Sequence, residues 1–130
     1  MLRFLGLTGP LRADAGVVSV GMIRTADVTP VLISGGQLTS ASHSFGVVPS
    51  IAILEYLCLT AEQGYSINDV VQINSWWNGT SIFPIALWKT ASSVGFQPAA
   101  GYAVVVIHKT TGAHFTPTAA NWAYRFVIEK

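Results

Sequence analysis

Charge is scarce in this chain. Only 10% of its 130 residues are Asp, Glu, Lys or Arg, 51% are hydrophobic, and the formal net charge is +1. Few charged groups are then available to cover a surface that is normally rich in them, which points to apolar area covered by a neighbouring subunit. There is no run of Lys or Arg, and phosphate binding needs clustered positive charge, so nucleic acid is excluded as a partner. Cysteine is nearly absent. Cys58 alone cannot close an internal disulfide, and within the apolar run from Ile51 to Leu59 it reads as a buried thiol rather than a nucleophile. The chain also lacks a membrane-length segment, because Gly, Pro or polar residues break every apolar run well short of the roughly twenty residues a spanning helix needs. The apolar stretch near the N-terminus is too short for the core of a secretory leader, so residues 1–15 are expected to be a retained arm.

What the chain does contain is a series of short strand signals with almost no helical periodicity. Val17-Val18-Ser19-Val20-Gly21-Met22-Ile23-Arg24 is rich in β-branched residues, and Val31-Leu32-Ile33 runs into a Ser34-Gly35-Gly36 turn. From Ile51 to Leu59 both alternating sets are apolar, Ile51, Ile53, Leu57 and Leu59 against Ala52, Leu54, Tyr56 and Cys58, as in a strand covered on two faces. One cover is the domain core and the other is assigned to a neighbouring subunit. Val70 to Asn74, Ser81 to Lys89 with an edge proline, and Tyr102 to His108 read as further strands. The last segment places Trp122, Tyr124, Phe126 and Ile128 on one side, the core side. Helical turns are allowed only at Thr60-Ala61-Glu62 and Ala119-Ala120-Asn121-Trp122. Some seven strands joined by Gly, Ser, Thr and Asn connections predict an all-β fold, an antiparallel β-sandwich of jelly-roll type, as one domain over residues 16–130.

Catalytic patterns are missing. His43, His108 and His114 are scattered; His108 and His114, flanking a predicted hairpin, could converge on an ion, as could symmetry-related His43 side chains in an oligomer, and no metal site or cofactor is assigned. Glu62 and Asp69 flank one polar loop, where the simplest role is turn chemistry, with carboxylates accepting backbone amides. No Gly-x-Ser-x-Gly elbow or phosphate loop occurs. The cluster suited to a ligand is Trp76-Trp77-Asn78, with Asn78-Gly79 as the strongest hairpin signal and the nearby Tyr65 loop beside it. Tandem tryptophans in a strand face opposite ways, so one needs a partner outside the core: a subunit, or a sugar ring that stacks on it.

Several short pieces follow a familiar order: His43-Ser44-Phe45-Gly46-Val47-Val48-Pro49, then Leu57 to Ser66 with its Gly64-Tyr65, then Asn68-Asp69. Further on come Trp88, Val94-Gly95, Ile107 to Gly112, and Thr118-Ala119-Ala120-Asn121-Trp122. Over about residues 35–130 the chain resembles the C-terminal domain of bacteriophage tail-fibre and related virion proteins. In one departure Ser44-Phe45 stands where that family has Gly-Leu, a place where glycine would permit positive φ. The long fibrous shaft expected before such a domain is also missing. The resemblance implies a non-enzymatic virion protein, commonly a homotrimer, that contacts other virion proteins or saccharides of the host surface. Three uses fit it: a tail-fibre-type module for virion assembly and host attachment, a capsid-decoration protein, or a lectin-like module.

Overall fold

The computed structural model describes residues 21–31, 33, 35–74, 76–77, 82–83 and 85–130. The expected arm, residues 1–15, and the Val17 to Val20 part of the first expected strand lie outside them. The described elements are the strands β1 (Met22–Arg24), β2 (Thr39–Ser42), β3 (Ile51–Cys58), β4 (Val70–Gln72), β5 (Trp76–Trp77), β6 (Ile82–Phe83), β7 (Ile85–Lys89), β8 (Ser93–Pro98), β9 (Val106–Ile107), β10 (His114–Phe115) and β11 (Trp122–Glu129). A 3-10 turn, Ala119–Asn121, leads into β11.

The strands β3 and β11 form the spine. They pair antiparallel over their full lengths, from Trp122 opposite Cys58 to Glu129 opposite Ile51. With β1 outside β11 and β4 outside β3, they make a four-stranded sheet in the order β1-β11-β3-β4. A second sheet, β2-β8-β7, lies across from it, and β5–β6 and β9–β10 are two-stranded ribbons.

Period-two alternation decides what each strand buries. Trp122, Phe126 and Ile128 of β11 and Leu54, Tyr56 and Cys58 of β3 are all buried on one face of the sheet. Val94 and Phe96 of β8 meet them from the opposite sheet, and the Phe96 ring centroid lies 6.2 Å from Phe126 and 6.0 Å from Tyr124. Each such buried apolar side chain stabilises the fold by about 1.5–3 kcal/mol. Two antiparallel sheets across one apolar layer are the sandwich that the alternation predicts, without a strand order that identifies a jelly roll. The second apolar set of β3 has little cover from the chain: Ile51 and Leu59 are exposed and Ile53 and Leu57 half-buried.

Four expectations need correction. Of the expected strand Tyr102 to His108, only Val106–Ile107 is regular. The stretch before it lies against Val31 and Ile33, where Val104 N donates to the Ile33 carbonyl at 2.9 Å, and Val31 and Val104 are buried without a ladder. Val31 and Ile33 are correspondingly not in a strand. Ser81 to Lys89 is two strands, β6 and β7, rather than one. Thr60-Ala61-Glu62 forms no helical turn, because residues 62–65 close a tight hairpin there. Two strands not foreseen, β2 and β8, carry the Ser-rich and Gly-containing sequences Thr39–Ser42 and Ser93–Pro98, which have weak strand propensity on their own.

The pairing of β7 with β8 explains two residues of the resemblance. Trp88 and Gly95 are direct cross-strand partners, and a Cβ on Gly95 would fall 2.4 Å from Trp88 Cζ2 and 2.7 Å from the Thr39 carbonyl oxygen. The indole occupies the space that a side chain at Gly95 would take. We expect Gly95→Ala to destabilise the fold by about 1–3 kcal/mol through overpacking, seen as a lower denaturation midpoint together with altered tryptophan emission. An unchanged midpoint and spectrum would show that Trp88 is not seated on Gly95. Phe126→Ala should cost about 3–5 kcal/mol, and Tyr124→Ala, at a half-buried position, distinctly less.

Candidate functional site

The polar residues that sequence reading singles out meet where β3 leaves the sheet. Glu62 and Tyr65 exchange both backbone hydrogen bonds, Glu62 N to the Tyr65 carbonyl at 3.1 Å and Tyr65 N to the Glu62 carbonyl at 2.9 Å. Between them Gln63 and Gly64 have φ of 52° and 85°. Two consecutive left-handed residues are the signature of the type I′ turn, the connection whose twist suits a tight hairpin. The tight hairpin is therefore at Gln63-Gly64. At Asn78-Gly79 the register of β5 with β6, Trp77 opposite Ile82, leaves four residues between the strands instead of two.

Around this hairpin three segments are tied together. Glu62 reaches the start of the 3-10 turn: its Oε2 accepts from Thr118 N at 2.9 Å and its Oε1 from Asn121 Nδ2 at 2.8 Å. Asn121 in turn accepts Leu59 N and Thr60 N on its carbonyl. Asp69 Oδ2 accepts from Ser66 N at 2.9 Å and from Lys109 Nζ at 2.7 Å. These two partners hold the Asp69 carboxyl below the usual carboxylate range, and Asp69 holds the Lys109 ammonium above its ordinary value. Tyr65 donates its hydroxyl to the Ile107 carbonyl at 2.6 Å and sets its ring edge-to-face with Trp122 at 5.4 Å. Lys109 Nζ lies 5.9 Å from the same ring centroid. Burial raises the Tyr65 phenol, so at neutral pH it stays a donor. Gly64 completes the fit, since a Cβ there would come within 3.0 Å of His108 Cε1.

Each candidate reactive group in this cluster already has a structural partner. Burial, with Asp69 nearby, raises the Cys58 thiol, which donates to the Thr60 carbonyl at 3.2 Å. His108 Nδ1 accepts Thr110 N and Thr111 N, both at 3.2 Å, and so caps its own turn. With that lone pair engaged, His108 is not poised to share an ion with His114. No group of three or more His, Cys, Asp or Glu residues that could hold a metal occurs among the described residues. His43 likewise serves the 43–49 turn, Nδ1 accepting Phe45 N and Nε2 meeting the Thr90 carbonyl. The positive φ in that turn falls on Gly46, at 71°, which is how Ser44-Phe45 fits there.

The ligand cluster expected from sequence divides. Tyr65 sits in the polar junction and also lines a cleft of about 400 Å³ with Gln72, Asn74 and Ile107. Trp76 and Trp77 enter through their backbone register alone, and Asn78 lies outside the described residues. Sequence reading missed Gln72 and Asn74; their only signal was their place at the end of an edge strand. Compared with known proteins, the chain matches no family model, no curated protein and no solved structure.

Two tests follow from these contacts. Glu62→Ala removes both charge-assisted bonds and should destabilise the fold by about 1–3 kcal/mol, with Glu62→Gln intermediate; a neutral Ala variant would show that the 3-10 turn holds without it. The carboxyl of Asp69 is depressed in the folded state, so its contribution is complete above the unfolded carboxylate value, near 3.9, and is lost as pH falls through the lower folded value. Acid titration of stability should therefore show a limb below about pH 4 that flattens in Asp69→Asn. An unchanged limb in that variant would remove Asp69 from the account.

Proposed function

We propose that this chain is a non-enzymatic assembly module of a bacteriophage virion, of tail-fibre type, that works as a homotrimer and contacts other virion proteins and the host surface. The observation that carries the reading is the uncovered apolar side of the spine. At one end of the four-stranded sheet Met22, Glu129 and Ile51 stand side by side in register, with Met22 54% and Ile51 47% exposed. Val47 and Val48, just before Ile51 in the chain, are 48% and 56% exposed. These exposed apolar side chains flank Glu129, and exposed apolar groups rimmed by charge mark protein contact more often than catalysis.

Two further features support the reading. The segments that carry the likeness to virion domains, around Glu62 to Asp69, His108 to Gly112 and Thr118 to Trp122, form one contact network, as parts of a common architectural element would. The carboxylates in that network are committed to backbone and side-chain partners, which favours a mechanical role over hydrolysis.

Light scattering on the purified protein at micromolar concentration should give a trimer, and a stable monomer would overturn the assembly reading. Electron microscopy of virions labelled against the chain should place it on the tail. A uniform coat over the head would move it to capsid decoration, and depolymerisation of host polysaccharide by the pure protein would contradict a non-enzymatic role.

A further inference from the structure

The cleft beside Tyr65 lies between two strands, β4 and β9, that are sheet edges among the described residues. In β4, Ile73 N donates to the Leu54 carbonyl and Cys58 N to the Asp69 carbonyl. The alternation of an antiparallel pair then turns Val71 toward β3 and leaves the N–H and C=O of Val70 and Gln72 pointing to the open side. Across the cleft, His108 N bonds the Ala113 carbonyl, so Val106 faces β10 while Ile107 faces away, its carbonyl meeting only the Tyr65 hydroxyl among the described contacts. The walls between these edges are β-branched: Val71, Ile73, Val105, Val106 and Ile107. The outward N–H and C=O groups of Val70 and Gln72 beside these apolar walls, with the Ile107 carbonyl across the cleft held by Tyr65, suit an extended apolar peptide that adds as a strand to β4. A sugar suits the cleft less well, because the Tyr65 hydroxyl is engaged and its ring is flanked by Trp122 and Lys109.

We propose that this slot receives Val17-Val18-Ser19-Val20 of a neighbouring copy as an inserted strand. The inference rests on the assembly reading above and names the contact that builds the assembly. Those four residues are the β-branched stretch directly ahead of β1. They cannot serve their own slot. β1 and β4 are opposite edges of the sheet, so the slot lies four strand spacings from β1, roughly 19 Å at about 4.8 Å each. Val20, two residues before Met22, reaches only about 7 Å. A copy that donates its segment while accepting another's makes a head-to-tail contact, and such contacts close into rings, a trimer among them.

Proline substitution separates the two sides of this contact. Gln72→Pro deletes an amide that faces the slot and is not used by β3, a change that edge strands tolerate. Val18→Pro deletes an amide in the donated segment. Each variant should keep the wild-type circular dichroism spectrum at about 25 °C and melt cooperatively, with a midpoint lowered by the loss of association, yet run as a monomer in light scattering, where the wild-type chain is an oligomer. Mixed one to one, the Gln72→Pro chain, with an intact segment, and the Val18→Pro chain, with an open slot, should form a heterodimer. Either variant remaining an oligomer, or a folded mixture remaining monomeric, would overturn the inserted strand while leaving the assembly reading in place. A monomeric wild-type chain would overturn both. If Gln72→Pro unfolds, Gln72 N-methylation introduced by chemical ligation removes the same hydrogen, and an oligomer surviving that change is decisive against the slot.

Discussion

The eight-residue pairing of β3 with β11 is the constraint on which the rest of the structure depends. It joins residues some seventy positions apart, Cys58 with Trp122 and Ile51 with Glu129, and it aligns Leu54, Tyr56, Cys58, Trp122, Phe126 and Ile128 on the buried face of the four-stranded sheet. A one-residue slip of β3 against β11 would turn Leu54, Tyr56 and Cys58 out of the core together, so the register is strongly specified. The Arg125 guanidinium adds to this on the outer face, where Nε donates to Glu55 Oε1 at 2.9 Å from the directly opposite position. Strands β1 and β4 are short additions to that pair, and the 3-10 turn and the Glu62 hairpin are the devices that close its Trp122 end.

The same pairing accounts for how the polar chemistry of the chain is used. Residues 59–69 must turn back within a short span to deliver β4 to β3, and the turn is made by two left-handed residues, Gln63 and Gly64. The resulting hairpin lies against His108 and Lys109 on one side and Thr118 to Asn121 on the other. Glu62 and Asp69 are the bonds to those neighbours. The Asp69 carboxylate, which accepts from the Lys109 ammonium and the Ser66 amide, is stabilised as an anion. An acid pair near a tyrosine and a thiol thus forms a junction between segments.

Legibility in the sequence followed the alternation. Trp122, Tyr124, Phe126 and Ile128 announce β11, and the two-sided apolar run announces β3, because in both the side-chain pattern itself decides the face. The structural role of Glu62 and Asp69 was also visible, since acids around a Gly-containing loop have few cheaper uses. Strand β8 was hidden because Gly95 yields its side-chain volume to Trp88, a partner that only the fold supplies. The stretch from Tyr102 to Val105 misled in the opposite way: strong β-branched propensity met Val31 and Ile33, which among the described residues offer one bond and burial but no ladder. The Asn78-Gly79 signal lies in the connection between the antiparallel strands β5 and β6, as hairpin chemistry predicts, whereas the two-residue turn at Gln63-Gly64 was not foreseen. Of the candidate site, Tyr65 was found and the open edge at Gln72 was not, because which amides face outward depends on the register and not on residue type.

Native-state hydrogen exchange tests most directly the claim that the spine carries the fold and that the polar junction is structural. The amides of Cys58 in β3 and Tyr124 in β11 should exchange only with global unfolding. The amides of Ser66 and Thr118, bonded to Asp69 and Glu62 although both residues are exposed, should be protected well beyond an open loop. Exchange of Ser66 and Thr118 at the rate of unstructured peptide, with the spine still protected, would contradict the account.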